Sequence, residues 1–227
     1  MQRNGVFARP PVPGRVKTRL AAALTPRLAC DLYAACLADA VEAARGAGAD
    51  ERWIYWAEPT EHAHPAAGFG ARLQRGDDLG ARLKTAFEEL IVAPGDRALI
   101  LGADCPELDA ARLDQAVRAL ERSDLVLGPT RDGGYYLIGL ARAEPRLFEG
   151  VTWGSEWVLE QTRERAVAAG LAATLLEPLE DIDTPADLVR FIERACRQPG
   201  GALETRRALE AMALLPRAAG TPRSVGP

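Results

Sequence analysis

Short apolar runs alternate along this chain with stretches of helical periodicity, a pattern that restricts it to the α/β class with a mainly parallel central sheet. Residues 6–8, 53–56, 98–101, 125–127, 135–140 and 172–176 read as strands. The run 98–101 is apolar at every position, as a strand covered on both faces must be. Thr25-Pro26 pairs an N-cap with proline at the first helical position, opening a helix with Leu28, Leu32, Tyr33, Cys36, Leu37, Ala40 and Val41 on one face. Asp77-Asp78 open a second, with Leu79, Leu83, Phe87 and Leu90 inward. Further helices are predicted from Leu113 to Leu120, from a Ser155 cap to roughly Ala169, and from Thr184-Pro185 to roughly Arg194. The strand at 135–140 follows that at 125–127 across an Arg131–Gly134 turn, so these two can pair antiparallel.

At 227 residues the chain fits one domain over 1–197, followed over 198–227 by a peripheral helix and a flexible tail. An apolar stripe from Leu203 to Leu215 packs on the parent domain or on a second copy, as a homodimer. A net charge of −4 gives a nucleic-acid partner no global electrostatic support. No stretch is long and apolar enough to span a bilayer, and none reads as a leader. Cys30, Cys36, Cys105 and Cys196 form no CxxC pair and read as reduced thiols, so a cytoplasmic protein is expected.

Three loops carry candidate chemistry. The first runs Arg9-Pro-Pro-Val-Pro-Gly-Arg-Val-Lys-Thr-Arg-Leu20, between the first strand and the first helix. A Pro/Gly backbone with Gly14 at its bend, carrying Arg9, Arg15, Lys17 and Arg19 close to a helix start, suits a phosphate group; the plainer alternative is a solvated turn. Lys17 and Lys84 are the only lysines among 28 basic residues, which singles out the compact ammonium of Lys17. The second loop, Gly102-Ala-Asp-Cys-Pro106, places Asp104 just past a buried strand, where ligands bind in open α/β sheets. A carboxylate there can hold a hard divalent cation, although Asp104 or Asp109 could instead cap the next helix. The third loop, Asp181-Ile-Asp-Thr-Pro185, leaves Asp183 free as a second metal ligand, because Thr184 is the natural N-cap. Asp181 is read as solvated with lower claim to the site.

In the Arg131–Gly134 turn, Asp132 could position or deprotonate an acceptor, Gly133 and Gly134 could let a ligand approach the backbone, and Tyr135 or Tyr136 could offer a ring or hydroxyl. An ordinary Asp-Gly hairpin turn is the alternative. Trp153 could wall a sugar or base, or pack in the core. Gly14–Thr18 has the wrong spacing for a Walker A loop. His62 and His64 lack the company a zinc site needs.

Four segments taken in order carry a family resemblance: Phe7–Leu20, Leu101-Gly-Ala-Asp-Cys-Pro106, Leu127-Gly-Pro-Thr-Arg-Asp-Gly-Gly-Tyr-Tyr-Leu-Ile-Gly-Leu140 and Asp181-Ile-Asp-Thr-Pro-Ala-Asp-Leu188. They resemble the DUF2064 group of GT-A-type proteins, over nearly the whole domain. More distantly they are similar to sugar-phosphate and cofactor nucleotidyltransferases, including guanylyltransferases. The resemblance implies a three-layer sandwich of the nucleotide-diphospho-sugar transferase type working with Mg2+ or Mn2+. Arg15, Lys17 and Arg19 match its phosphate-side loop, Asp104 and Asp183 its metal aspartates, and Asp132–Tyr135 a segment contacting donor or acceptor. Two departures stand out: the first strand is short, either because its start lies upstream or with a weak sheet edge beneath the loop, and Arg9 stands where the family often has lysine.

The expected activity is metal-dependent transfer from a nucleotide-activated donor to an acceptor not identified by the sequence. Glycosyl transfer from a nucleotide sugar is the first expectation, with Asp132 and Lys17 as catalytic residues. Nucleotidyl transfer with pyrophosphate release is the alternative, and a non-catalytic nucleotide-binding module the third.

Overall fold

The computed structural model describes residues 1–60, 66–198 and 200–216. One sheet of seven strands has the order β3-β2-β1-β4-β6-β5-β7. Its strands are β1 Gln2–Ala8, β2 Glu51–Trp56, β3 Gly70–Leu73, β4 Arg97–Leu101, β5 Leu125–Pro129, β6 Tyr135–Leu140 and β7 Ala173–Leu175. β6 runs antiparallel to both its neighbours, β4 and β5, and every other pair is parallel. The carboxyl ends of β1, β2 and β4 therefore share one edge, which carries the three loops singled out above.

Helices α1 (Pro26–Gly46) and α3 (Ala110–Ala119) cover one face of the sheet, and α2 (Leu79–Leu90) and α4 (Val158–Ala168) cover the other. β4 shows the cause of this three-layer sandwich. Leu99 and Leu101 join the core beneath α1 and α3, while Ala98 and Ile100 join the one beneath α2. All four are essentially buried, and each large side chain so placed contributes about 1.5–3 kcal/mol. A third cluster seats α5 (Pro185–Arg197) and α6 (Leu203–Ala211) on the outer flank of α1, through Leu32, Cys36, Phe191 and Leu209. No described helix is long and apolar enough to cross a membrane.

Several expectations need correction. The first strand is seven residues long and lies between β2 and β4, in the interior of the sheet. Its polar start is accommodated by an ion pair: Arg3 donates to Asp96 at 2.7 Å, to Glu51 at 3.0 Å and to the Leu90 carbonyl at 2.7 Å. β3 was not foreseen, because Gly70–Leu73 alternates half-buried and exposed positions and is too short to stand out. α1 buries two flanks instead of one, since α5 and α6 cover the side away from the sheet. Ser155 does not cap α4: its hydroxyl donates to the Thr152 carbonyl and accepts from the Trp157 amide, and α4 starts at Val158. Leu79 is exposed rather than inward. Of the apolar stripe from Leu203 to Leu215, Leu209 and Leu215 are buried in the cluster with α1 and α5, while Leu203 and Leu214 are exposed. His62 and His64, and the expected tail beyond Pro216, lie outside the described residues.

Candidate active site

The basic loop is held at two apolar points, Val16 and Leu20, which are buried in separate cores. Between and before them the charged residues face the cleft. The chain turns at Gly14, whose φ of 79° favours glycine, and the Arg15 amide donates to the Val12 carbonyl. A 3-10 turn, Thr18–Leu20, follows, and α1 begins only at Pro26 with Thr25 capping the Leu28 amide. The cationic character of the loop is thus carried by its side chains, since the helix starts where the Thr25-Pro26 cap predicts, several residues beyond Arg19.

Asp104 is available because Asp109 takes the helix cap, accepting from the Arg112 amide at 2.8 Å. The loop bearing Asp181 and Asp183 is tied to it through the backbone: the Ile182 amide donates to the Asp104 carbonyl at 3.1 Å, and the Ile182 side chain is fully buried. Thr184 and Asp187 form a capping box on α5, so Asp183 projects from just outside the helix.

Lys17 occupies the space between these two carboxylates. Its Nζ lies 2.5 Å from Asp183 Oδ1 and 3.3 Å from Asp104 Oδ2, with only 4% of its side chain exposed, while the two acids are 33% and 40% exposed. Its φ is 48°, a left-handed conformation that costs a non-glycine residue about 1–2 kcal/mol. Strain of this kind persists where surrounding structure imposes it, commonly at functional sites. Burial alone would depress the Lys17 pKa; Asp104 and Asp183 more than reverse that, so the ammonium stays charged. Burial, then the charges of Asp132, Asp104 and Asp183, push Asp181 up to about 7. Arg19 reaches Asp183 at 3.6 Å and Arg15 is paired with Glu58, both largely exposed.

Three connected hollows meet at Asp104. The first, about 290 Å³, gathers Arg9, Arg15, Lys17, Arg19 and Asp183 with Tyr33, whose hydroxyl accepts the Arg9 amide at 2.7 Å. The second, about 430 Å³, is lined by Phe7, Gln74, Asp77, Leu79 and Arg82 among others. The third, also about 430 Å³, holds Asp132, Gly134, Tyr135, Trp153, Asp181 and Asp183. Tyr33 and the second hollow escaped sequence reasoning: Tyr33 falls on the core stripe of α1, and only the strand order brings β1 and the start of α2 together.

The turn at 131–134 serves structure as well as the cleft. Asp132 Oδ1 accepts from the Thr130 hydroxyl at 2.5 Å and the Gly134 amide at 3.1 Å. Gly133 has φ 88°, and a Cβ there would meet the Glu156 carbonyl oxygen at 2.0 Å. Its glycine is required by that backbone contact, and a ligand is not what it makes room for. The Gly133 carbonyl instead accepts the Leu159 amide at the start of α4. Tyr135 lines the third hollow, but its hydroxyl is buried. Cys105 is fully buried, which pushes its thiol pKa well up and makes it a packing residue.

A family model described as "uncharacterized protein conserved in bacteria" (DUF2064) matches residues 31–155, over half of the chain. The chain belongs to the DUF2064 family. This DUF2064 protein is also 32% identical over 191 residues to a 3-phospho-D-glycerate guanylyltransferase of Phenylobacterium zucineum, covering 79% of this chain and 85% of the relative. It is 31% identical over 176 residues to a phosphoenolpyruvate guanylyltransferase of Sphaerobacter thermophilus, covering 76% and 84%. A crystal structure from Desulfovibrio desulfuricans, provisionally described as a nucleotide-diphospho-sugar transferase, superposes with a TM-score of 0.81 at 28% identity, covering 93% of this chain and 96% of that one. The fold of the DUF2064 protein is thus of the nucleotide-diphospho-sugar transferase type.

Proposed function

We propose that this protein is a nucleotidyltransferase. It transfers a nucleoside monophosphate, guanylate being the first to test, from the triphosphate to a phosphate-bearing small molecule. A phosphate oxygen of the acceptor attacks the α-phosphorus, the α–β phosphoanhydride bond breaks and pyrophosphate leaves. The observation that carries this reading is the meeting of four basic side chains with Asp104 and Asp183 around one hollow. Two relatives named as guanylyltransferases support it over glycosyl transfer.

Arg9 and Arg15 are assigned to the β- and γ-phosphates, where they neutralise charge on the departing pyrophosphate. The second hollow, with its Phe7 and Leu79 walls and the polar Gln74 and Asp77, is assigned to the base. The third is assigned to the acceptor, with Asp132 and Arg19 positioning it. An acceptor phosphate is already ionised at neutral pH, so this reaction needs no general base, and the part foreseen for Asp132 narrows to positioning.

Asp104 and Asp183 suit Mg2+ or Mn2+, which take hard oxygen donors and typically use one or two carboxylates together with substrate phosphates. Among the described residues no three metal-ligating side chains cluster, consistent with phosphates completing the shell. The cation, when bound by these two residues, would supply charge neutralisation at the phosphate oxygens.

Incubation with nucleoside triphosphates, Mg2+ and a panel of phosphorylated acids and sugar phosphates tests the proposal. The expected result is acceptor-dependent pyrophosphate release that Asp104→Ala abolishes. Sugar transfer from a nucleotide sugar, with nucleoside diphosphate released and no pyrophosphate, would restore the glycosyl reading. Nucleotide binding without turnover of any donor would leave a binding module.

A further inference from the structure

The ammonium of Lys17 stands between the two carboxylates that a divalent cation would have to share. From this geometry we infer that Lys17 is the resident counter-ion of the Asp104–Asp183 pair. The protein consequently binds a divalent cation poorly on its own and acquires it together with the nucleotide's phosphates. The inference rests on reading the cleft as a metal–nucleotide site, and specifies how that site is loaded.

Three observations converge on it. Lys17 is not a surface lysine resting near acids: its side chain is 4% exposed, its backbone is held left-handed, and Val16 and Leu20 pin the chain on either side. It cannot release both acids without leaving that setting. Second, the charge of the two carboxylates is offset at contact distance: Lys17 leaves a net charge of −1, which the Arg19 guanidinium 3.6 Å from Asp183 Oδ2 cancels, while Asp132 and Asp181 line the adjoining hollow and Arg9 and Arg15 the first. A bare divalent cation entering there gains little net attraction and is repelled by an ammonium a few ångströms away. A triphosphate reverses this, because it brings several negative charges with the cation. Third, no third metal-ligating side chain of the described residues joins the pair, so without phosphates most of the coordination shell is water.

The arrangement has a consequence for order of binding. A protein with a dedicated metal site holds its cation between turnovers. Here the cation enters and leaves with phosphate groups, and the ammonium keeps the two acids together whenever they are gone. Lys17 also prevents the repulsion that two adjacent unpaired carboxylates would otherwise suffer in the empty cleft.

Mn2+ binding to the nucleotide-free protein tests this directly, read as loss of the free-ion signal in electron paramagnetic resonance. Lys17→Met removes the charge while keeping the length of the side chain. It is expected to bind Mn2+ alone at least about tenfold more tightly than the wild type. Lys17→Arg, which keeps the charge, should stay near the wild type. Binding by Lys17→Met no tighter than wild type overturns the inference.

A second measurement needs no substitution, and decides the matter even where Lys17→Met fails to fold. Protein labelled with 15N-lysine shows two lysine amide resonances, Lys17 and Lys84. Stoichiometric Mn2+ alone should leave both sharp; addition of inorganic tripolyphosphate should then broaden Lys17 more strongly than Lys84. Broadening of Lys17 by Mn2+ alone, or none with tripolyphosphate, overturns the inference. None of these arms uses a nucleotide or an acceptor, so their outcome is separate from that of the guanylyl-transfer assay.

Discussion

At the amino ends of β1 and β4, Arg3 lies between Asp96 and Glu51; at the carboxyl edge of the same sheet, Lys17 lies between Asp104 and Asp183. The two basic side chains are almost equally hidden, 9% and 4% exposed. The acids differ. Asp96 is 6% exposed and also accepts the Val92 and Ala93 amides, at 3.2 and 3.0 Å, so its oxygens are fully engaged. Asp104 and Asp183 keep a third or more of their side chains open to the cleft. Around Asp96 the first cluster is closed, joining β1, β4 and the turn after α2, and Glu51 at its rim, 39% exposed, reaches solvent. In the second cluster both acids open onto the cleft, as the proposed binding role requires.

Asp104→Ala should break this distinction most visibly. Pyrophosphate release is expected to fall by about a thousandfold, the scale of losing one preorganised charge-stabilising group, while the thermal midpoint scarcely moves. Arg3→Met should do the reverse. Breaking a buried pair by removing one partner is costly, so the midpoint should drop by about 10 °C, with turnover per folded molecule unchanged.

The same variant sharpens the contrast through pH. Hydrogen bonds from the Met1 amine and from Arg3 hold Asp96 well below the ordinary carboxylate range. A group depressed in the folded state stabilises fully above its unfolded pKa, about 4 for aspartate, and loses that contribution as pH falls towards the folded value. Urea midpoints measured at descending pH should therefore decline more steeply below that range in the wild type than in Arg3→Met.

Asp132→Asn tests the smaller claim that this residue positions the acceptor. The amide oxygen can still accept from Thr130 and Gly134, so the turn should persist, with kcat/KM for the acceptor down about tenfold. A loss as large as that of Asp104→Ala, accompanied by a changed pH–rate profile, would make Asp132 a proton acceptor and favour glycosyl transfer. Arg15→Ala should have the mildest effect. Its pairing with Glu58 is solvent-exposed and worth little to stability, and the nucleotide KM should rise about fivefold.

Much of the site was legible one loop at a time. Thr184-Pro185 with Asp187 identified a capping box and thereby freed Asp183, and the buried run ending at Leu101 placed Asp104 at the carboxyl edge of the sheet. What stayed hidden was polar structure inside apolar elements. Arg3 and Asn4 disguised the first half of β1, although both are buried, and the compensation of Arg3 comes from groups distant in the chain such as Asp96. Gly133 looked like room for a ligand, since its true neighbour, the Glu156 backbone, is remote in the chain.

The alternation of strands and helices, the caps at Thr25, Asp78, Asp109 and Thr184, and the continuous burial of β4 follow from local pattern, because hydrophobic period and capping act over a few residues. The union of Lys17 with Asp104, 87 residues on, and Asp183, 166 residues on, does not. It depends on the strand order of the sheet and on the Ile182-to-Asp104 backbone bond. Charge in a sequence specifies that a partner is needed; its identity comes from which chain ends the packed sheet brings within a few ångströms.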